Sequence, residues 1–160
     1  MASRMLHLAA AEEILRAVQI PDADRFRVGS VLPDAFSQRD DRRITHFILH
    51  VGGRRTYDLT KFRTLFGTQL RTDALYLGYY LHLIEDMVCR KILYHDHGWT
   101  PDTWEKIGRL HNDYRMLNAY AARRCGLHDD LIVPPGLENE PLYAYYPFAL
   151  PELLSELHAD

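Results

Sequence analysis

Leu75-Tyr76-Leu77-Gly78-Tyr79-Tyr80-Leu81-His82-Leu83-Ile84-Glu85-Asp86-Met87-Val88-Cys89 reads as one long apolar helix, and it decides the fold. His82 and Asp86 stand four residues apart in it. A four-residue step turns about 40° around a helix, so both side chains share one face. A histidine and an aspartate on an apolar helix cost burial energy unless something pairs with them. That geometry can grip one metal ion.

Further helices flank this one. Thr72 or Asp73 caps it, and it is expected to run to about Tyr94. Residues 3–18 repeat Leu6, Ala10, Ile14 and Val18 at four-residue steps, which predicts an amphipathic helix stopped by Pro21. Residues 22–37 read as a short helix or turn and a loop, with a sharp corner at Leu32-Pro33-Asp34. Residues 44–51 are apolar and fit either a strand or one or two helical turns, ended by Gly52-Gly53. Asp58 is expected to cap a helix through Leu65, with Gly67 as its stop. Thr100-Pro101 is an N-cap and first-turn signature for a helix to Arg124, with Gly126 at its end. Residues 127–150 carry Pro134, Pro135, Gly136, Pro141 and Pro147 and read as an irregular Pro/Tyr-rich arm, before a short helix over 151–158. Four or five helices and no convincing sheet predict an all-α multi-helix bundle with a metal site in its core. The length of 160 residues suits a single domain over 1–160.

The bulk composition narrows the function classes. A net charge of −3 gives no electrostatic footprint for broad nucleic-acid binding or for adhesion to an anionic membrane surface. Cys89 and Cys125 are the two cysteines, so no disulfide framework or thiolate metal pattern is expected. The N-terminal stretch carries Glu12, Glu13 and Arg16 and lacks the apolar region of a signal peptide. No run approaches the roughly 18 apolar residues of a membrane span. These features predict a cytoplasmic protein. No serine elbow or phosphate loop of known pattern is present.

Nine histidines stand out. In chain order, His7, Asp34, His46, His82 and Asp86 come from the first helix, the corner, the middle segment and the long helix. Imidazole and carboxylate donors suit zinc, and also iron or manganese. A set without cysteine and with an open position is more often catalytic than structural. Each residue also has a plainer reading when taken singly. His82 fits a hydrogen-bonded core histidine, Asp86 an arginine partner or helix cap, and Asp34 a turn residue. Gly78, one turn before His82, leaves room for another element or a substrate, and Tyr79 can donate a hydrogen bond nearby.

Three segments carry a family resemblance. Phe26-Arg27-Val28-Gly29-Ser30-Val31-Leu32-Pro33-Asp34, Thr45-His46-Phe47 and Leu77 to Asp86 together resemble the zinc-dependent phospholipase C family, whose fold is shared by fungal single-strand-specific nucleases. The likeness covers roughly residues 5–95. It implies an α-helical phosphoesterase in which Asp34, His46, His82 and Asp86 hold a central ion. His7 would serve a neighbouring ion, with Asp86 bridging. Metal-activated water would attack phosphorus, and Asp34 would orient or deprotonate that water. Two features depart from the family. Its secreted members bind metal through a mature N-terminal tryptophan that this chain lacks. Its later His-x-x-x-Glu pair is absent too, since His111 is followed by Arg115 at that spacing. One or two ions are therefore expected. His95 and His97 fit either substitute ligands or surface histidines, and His50 ranks below the main five.

The expected function is metal-dependent hydrolysis of a small phosphate-containing substrate, a phosphodiester or phospholipid-like ester. A first alternative is a non-catalytic helical domain with a degenerate structural metal site or a partner-binding role. A second is an HD-type phosphohydrolase, with His46 or His82 starting the series, His95-Asp96 as its adjacent pair and Asp113 or Asp129 ending it. Tyr143, Tyr145, Tyr146 and Phe148 are expected to pack on the body or to form a homodimer contact.

Overall fold

The long apolar run forms α6 (Ala74–Arg90), the rod against which the other elements are placed. The Asp73 carboxylate accepts a hydrogen bond from Leu75 N at 2.9 Å and fixes its start. The helix ends at Arg90, short of Tyr94, and continues as a wider π-helical stretch, Lys91–Asp96. The computed structural model describes residues 3–127 and 131–157. His128, Asp129 and His158 lie outside the described residues.

α2 (Ala23–Val31) lies directly on α6. Two glycines allow this closeness. A Cβ on Gly29 would collide with the Leu75 carbonyl oxygen, and one on Gly78 with the Phe26 carbonyl oxygen. The space at Gly78 is thus filled by the backbone of α2, leaving none for a substrate. Asp22 starts α2 from a left-handed conformation and accepts from Arg25 N at 3.2 Å. The Arg25 guanidinium then ties α2 to Asp73 and Glu140, each at 2.5 Å.

α1 (Arg4–Ala17) begins where Ser3 Oγ accepts from Leu6 N, and it rests on α2 and on α7 (Trp104–Cys125). Thr103 caps α7, accepting from Lys106 N at 3.3 Å, so Thr100-Pro101 is its lead-in, outside the helix. Gly126 closes α7 at φ 60°, the left-handed conformation that glycine adopts without steric cost.

The ambiguous middle segment contains both structures. α3 (Arg42–Thr45) is one helical turn, and β1 (Ile48–Val51) pairs antiparallel with β2 (Arg54–Tyr57), with Ile48 opposite Tyr57. Gly52 and Gly53, at φ 56° and 75°, make the two-residue turn. This hairpin is the one sheet among the described residues, and the fold is all-α.

α4 (Leu59–Phe66) starts at Asp58, which accepts from Lys61 N at 2.8 Å, and α5 (Gln69–Thr72) leads into α6. Phe62 and Phe66 of α4 meet Phe47 and Tyr79 in an aromatic core. The Pro/Tyr-rich stretch is more ordered than expected. It contains α8 (Pro141–Tyr145) and leads into α9 (Leu150–Leu157). Tyr145 stacks on Phe47 at 5.2 Å, Phe148 meets Tyr79, and Ala149 N donates to the Ala35 carbonyl at 2.9 Å. The tyrosines are used within the chain's own core. No helix among the described residues is long and apolar enough to cross a membrane.

Candidate metal centre

α6 presents His82 and Asp86 on one face, both fully buried. α1 brings His7 to them from the opposite side, and the His7 and His82 rings stack with centroids 3.7 Å apart. The 3-10 turn Leu32–Asp34 ends α2 and carries Asp34 to the same point, with Pro33 rigidifying the corner. His46 enters from the end of α3. The next residue, Phe47, has φ 50°, an uncommon conformation for a bulky side chain. Its ring is locked among Phe62, Phe66 and Tyr145, and its carbonyl accepts from Asp58 N at 2.7 Å. This reversal lets His46 point inward while the chain leaves as β1.

The orientation of the three imidazoles is the informative part. His82 Nδ1 donates to the Ser30 carbonyl at 2.8 Å. His7 Nδ1 meets the Glu85 carboxylate at 2.5 Å. His46 Nδ1 lies 3.0 Å from Thr45 Oγ1. Each ring therefore uses Nδ1 on an outer partner and turns Nε2 inward, the arrangement that metal-ligating histidines adopt. The His46 and His82 Nε2 atoms are 3.2 Å apart. With the proton of each ring on Nδ1, the two lone pairs would face each other, and a cation between them would remove the repulsion. Two nitrogens each about 2.0–2.1 Å from one zinc ion at a tetrahedral angle sit about 3.3 Å apart. His7 Nε2 is buried without a hydrogen-bond partner, 3.6 Å from Asp86 Oδ1.

The carboxylates complete the set. Asp34 Oδ1 is 3.2 Å from His46 Nε2. Asp86 Oδ2 accepts from the Tyr57 hydroxyl at 3.0 Å. His7, Asp34 and His82 offer ligand atoms within 4.8 Å of one another, as do His46, His82 and Asp86. Both groups contain His82, whose Nδ1 is committed to Ser30. One remaining nitrogen serves one ion, so the two groups describe one centre. Buried imidazole and carboxylate groups here could hold a metal ion, and the donor chemistry fits zinc, iron or manganese.

The local charges hold the two carboxyls ionised and His82 and His46 neutral, while His7 is held protonated. Burial opposes the charge on Asp86, yet the neighbouring His7, His82 and His46 hold its carboxyl well below the usual range. Asp34 is likewise held low against burial by His46 and His82. Burial also works against a charge on His7, but the Asp86 and Glu85 carboxylates outweigh it and raise its pKa to about 9. Burial, then the charge on His7, pushes His82 down to about 3. His46 is lowered too, chiefly by burial.

The sequence reading missed several contributors. Arg42, one turn before His46, places Nη2 3.3 Å from His46 Nε2, 3.6 Å from Asp86 and 3.8 Å from Asp34. The i, i+4 spacing of Arg42 and His46 was the available signal. Glu85, Thr45 and Tyr57 orient the inner residues. The Tyr79 hydroxyl donates to the Thr45 carbonyl. The remaining described histidines are apart from the centre. His50, His95, His97 and His111 are exposed, and Asp96 pairs with Lys91 at 2.7 Å.

One side of the centre opens. Asp34 and Arg42 line a cleft of about 1150 Å³ that residues of α7 also line. No family model matches the chain, and no curated protein or solved structure matches it.

Proposed function

We propose that the chain is a metal-dependent hydrolase of a phosphate ester, with zinc bound among His7, Asp34, His46, His82 and Asp86. The observation that carries this reading is the inward orientation of three Nε2 atoms, each backed by an outer partner on Nδ1. The segments that resemble the zinc-dependent phospholipase C family point the same way, as does the open side at Asp34. A divalent ion held there would supply Lewis acidity and an activated water at neutral pH.

The chain's own groups divide the remaining work. Asp34 is the acid of the centre that faces the cleft, with its side chain 12 % exposed. Its carboxyl stays ionised, so it suits orienting a water by accepting its hydrogen bond better than removing a proton. Arg42, beside it, can donate to a phosphoryl oxygen and offset the charge that develops in the transition state. Glu85 and the Ser30 carbonyl fix the rings of His7 and His82, and Tyr57 fixes Asp86.

The test is hydrolysis of p-nitrophenyl phosphodiesters and monoesters by zinc-loaded protein, beside the Asp34→Asn and Arg42→Gln variants. Turnover by the wild type that falls at least about a hundredfold in either variant supports the reading. Bound zinc with no turnover on any ester favours a degenerate structural site. A second reading rests on Arg42, whose guanidinium already pairs with Asp34 and Asp86. In that reading the cluster is an ionic network that holds the helices together without an ion, and the protein purifies metal-free.

A further inference from the structure

Beyond the centre, the cleft has its own chemistry. Among the described residues its lining includes seven arginines and three aspartates, with no lysine and no glutamate. That is a local excess of positive charge on a chain whose net charge is −3. We propose, resting on the phosphoesterase reading above, that Arg42, Arg55 and Arg90 form a second phosphate subsite, so that the substrate is a small molecule carrying two or more phosphoryl groups.

The three guanidiniums come from α3, β2 and α6 and line the same cleft. Arg42 stands at the metal centre. Arg55 is partly buried, and that burial chiefly lowers its pKa, with Tyr57 and Asp86 opposing the shift and the charges of Arg42 and Arg90 adding to it. Arg90 lies over the Tyr94 ring at 4.5 Å, which holds it in place. Clustered like charges on separate elements cost free energy that a bound polyanion recovers. The use of arginine alone matters, because its planar fork matches phosphate oxygens two at a time, whereas lysine offers a point charge. One phosphoryl group at the centre and one at Arg55 and Arg90 would share Arg42 between them.

The cleft also limits the rest of the ligand. Ile107, Leu110 and Tyr114 of α7 add apolar surface to the cleft lining, and Trp104, which also lines it, is 81 % exposed. A volume of about 1150 Å³ is at the scale of a small-molecule site. The positive charge is concentrated inside this cleft on a chain that is acidic overall, which favours a compact polyanion over a long one.

The experiment is calorimetric titration with methylenebisphosphonate and, separately, with inorganic phosphate, on zinc-loaded and on chelator-stripped protein. The bisphosphonate is expected to bind at least about tenfold tighter than phosphate in both forms. The Arg55→Gln/Arg90→Gln double variant should lose that preference while keeping the wild-type zinc content. Arg55→Lys/Arg90→Lys, which keeps the charge but loses the fork, should fall between. Equal affinities for the two anions in the wild type would overturn the proposal without any variant. So would a preference that disappears on zinc removal and ignores the arginine changes. Binding to phosphatidic acid in phosphatidylcholine vesicles, with none to the soluble bisphosphonate, would also overturn it by making the ligand a lipid surface. A wild type that holds no zinc yet shows arginine-dependent bisphosphonate binding would support the subsite and sink the hydrolase reading alone.

Discussion

At the residue scale, the geometry of the centre depends on groups that would not touch an ion held there. Glu85 fixes His7 through Nδ1. Outer partners of this kind are worth about 10–100-fold in metal affinity. Glu85→Gln should therefore weaken zinc binding by about that factor without abolishing it, as read by competition with a chromophoric chelator. Unchanged affinity would remove His7 from the ligand set. The pH dependence of the metal-free protein follows from the two shifted histidines. His82, lowered from 6.5 to about 3, binds a proton more readily when unfolded, so stability falls as pH drops below 6.5. His7, raised from 6.5 to about 9, contributes stability that is complete below 6.5 and lost as pH rises through 9. Each group contributes up to about 1.4 kcal/mol per pH unit within its window. Thermal melting of stripped protein should peak near pH 6.5 and decline on both sides, and a monotonic rise through that region would contradict the assignment. His82 and Asp86 were legible because they interrupt an apolar helix, and Asp34 because it follows a proline corner, whereas His7 and His46 carried little weight except as members of the ordered set. Arg42, Thr45 and Tyr57 were not legible. An arginine in a charged stretch and a hydroxyl in a short strand look like surface residues until the fold brings them inward.

At the element scale, the approach of α2 to α6 sets the geometry of everything above it. Gly29 and Gly78 are reciprocal, each lying under the other helix's backbone. Gly78→Ala must push the helices apart, at a cost of about 1–3 kcal/mol or more by overpacking. It should also lower zinc affinity, because His82 and the Ser30 carbonyl sit next to the contact. Urea unfolding together with zinc competition tests both. A variant as stable as the wild type, with wild-type affinity, would show that the close approach is dispensable. The helices themselves could be read from their caps, as with Asp58 and Asp73. The hairpin could not, since Ile48–Val51 is too short for periodicity to separate a strand from a helical turn. The order in residues 137–157 was hidden for another reason. Proline suggested a loop, but Pro141 occupies the first turn of α8, where a missing N–H costs nothing.

At the scale of the whole molecule, four separate elements donate to one centre, so an ion there would tie α1, the corner after α2, α3 and α6 together. Anything that binds the native state alone stabilises it by mass action, about 4 kcal/mol when zinc is present at a thousand times its Kd. Chelation should therefore lower the melting temperature, and added zinc should restore it. Elemental analysis of untagged protein, with His82→Ala and Asp86→Ala beside it, decides whether the centre holds metal. About one equivalent of zinc is expected in the wild type, lost in both variants. No metal in the wild type after reconstitution, or wild-type metal in both variants, would contradict it.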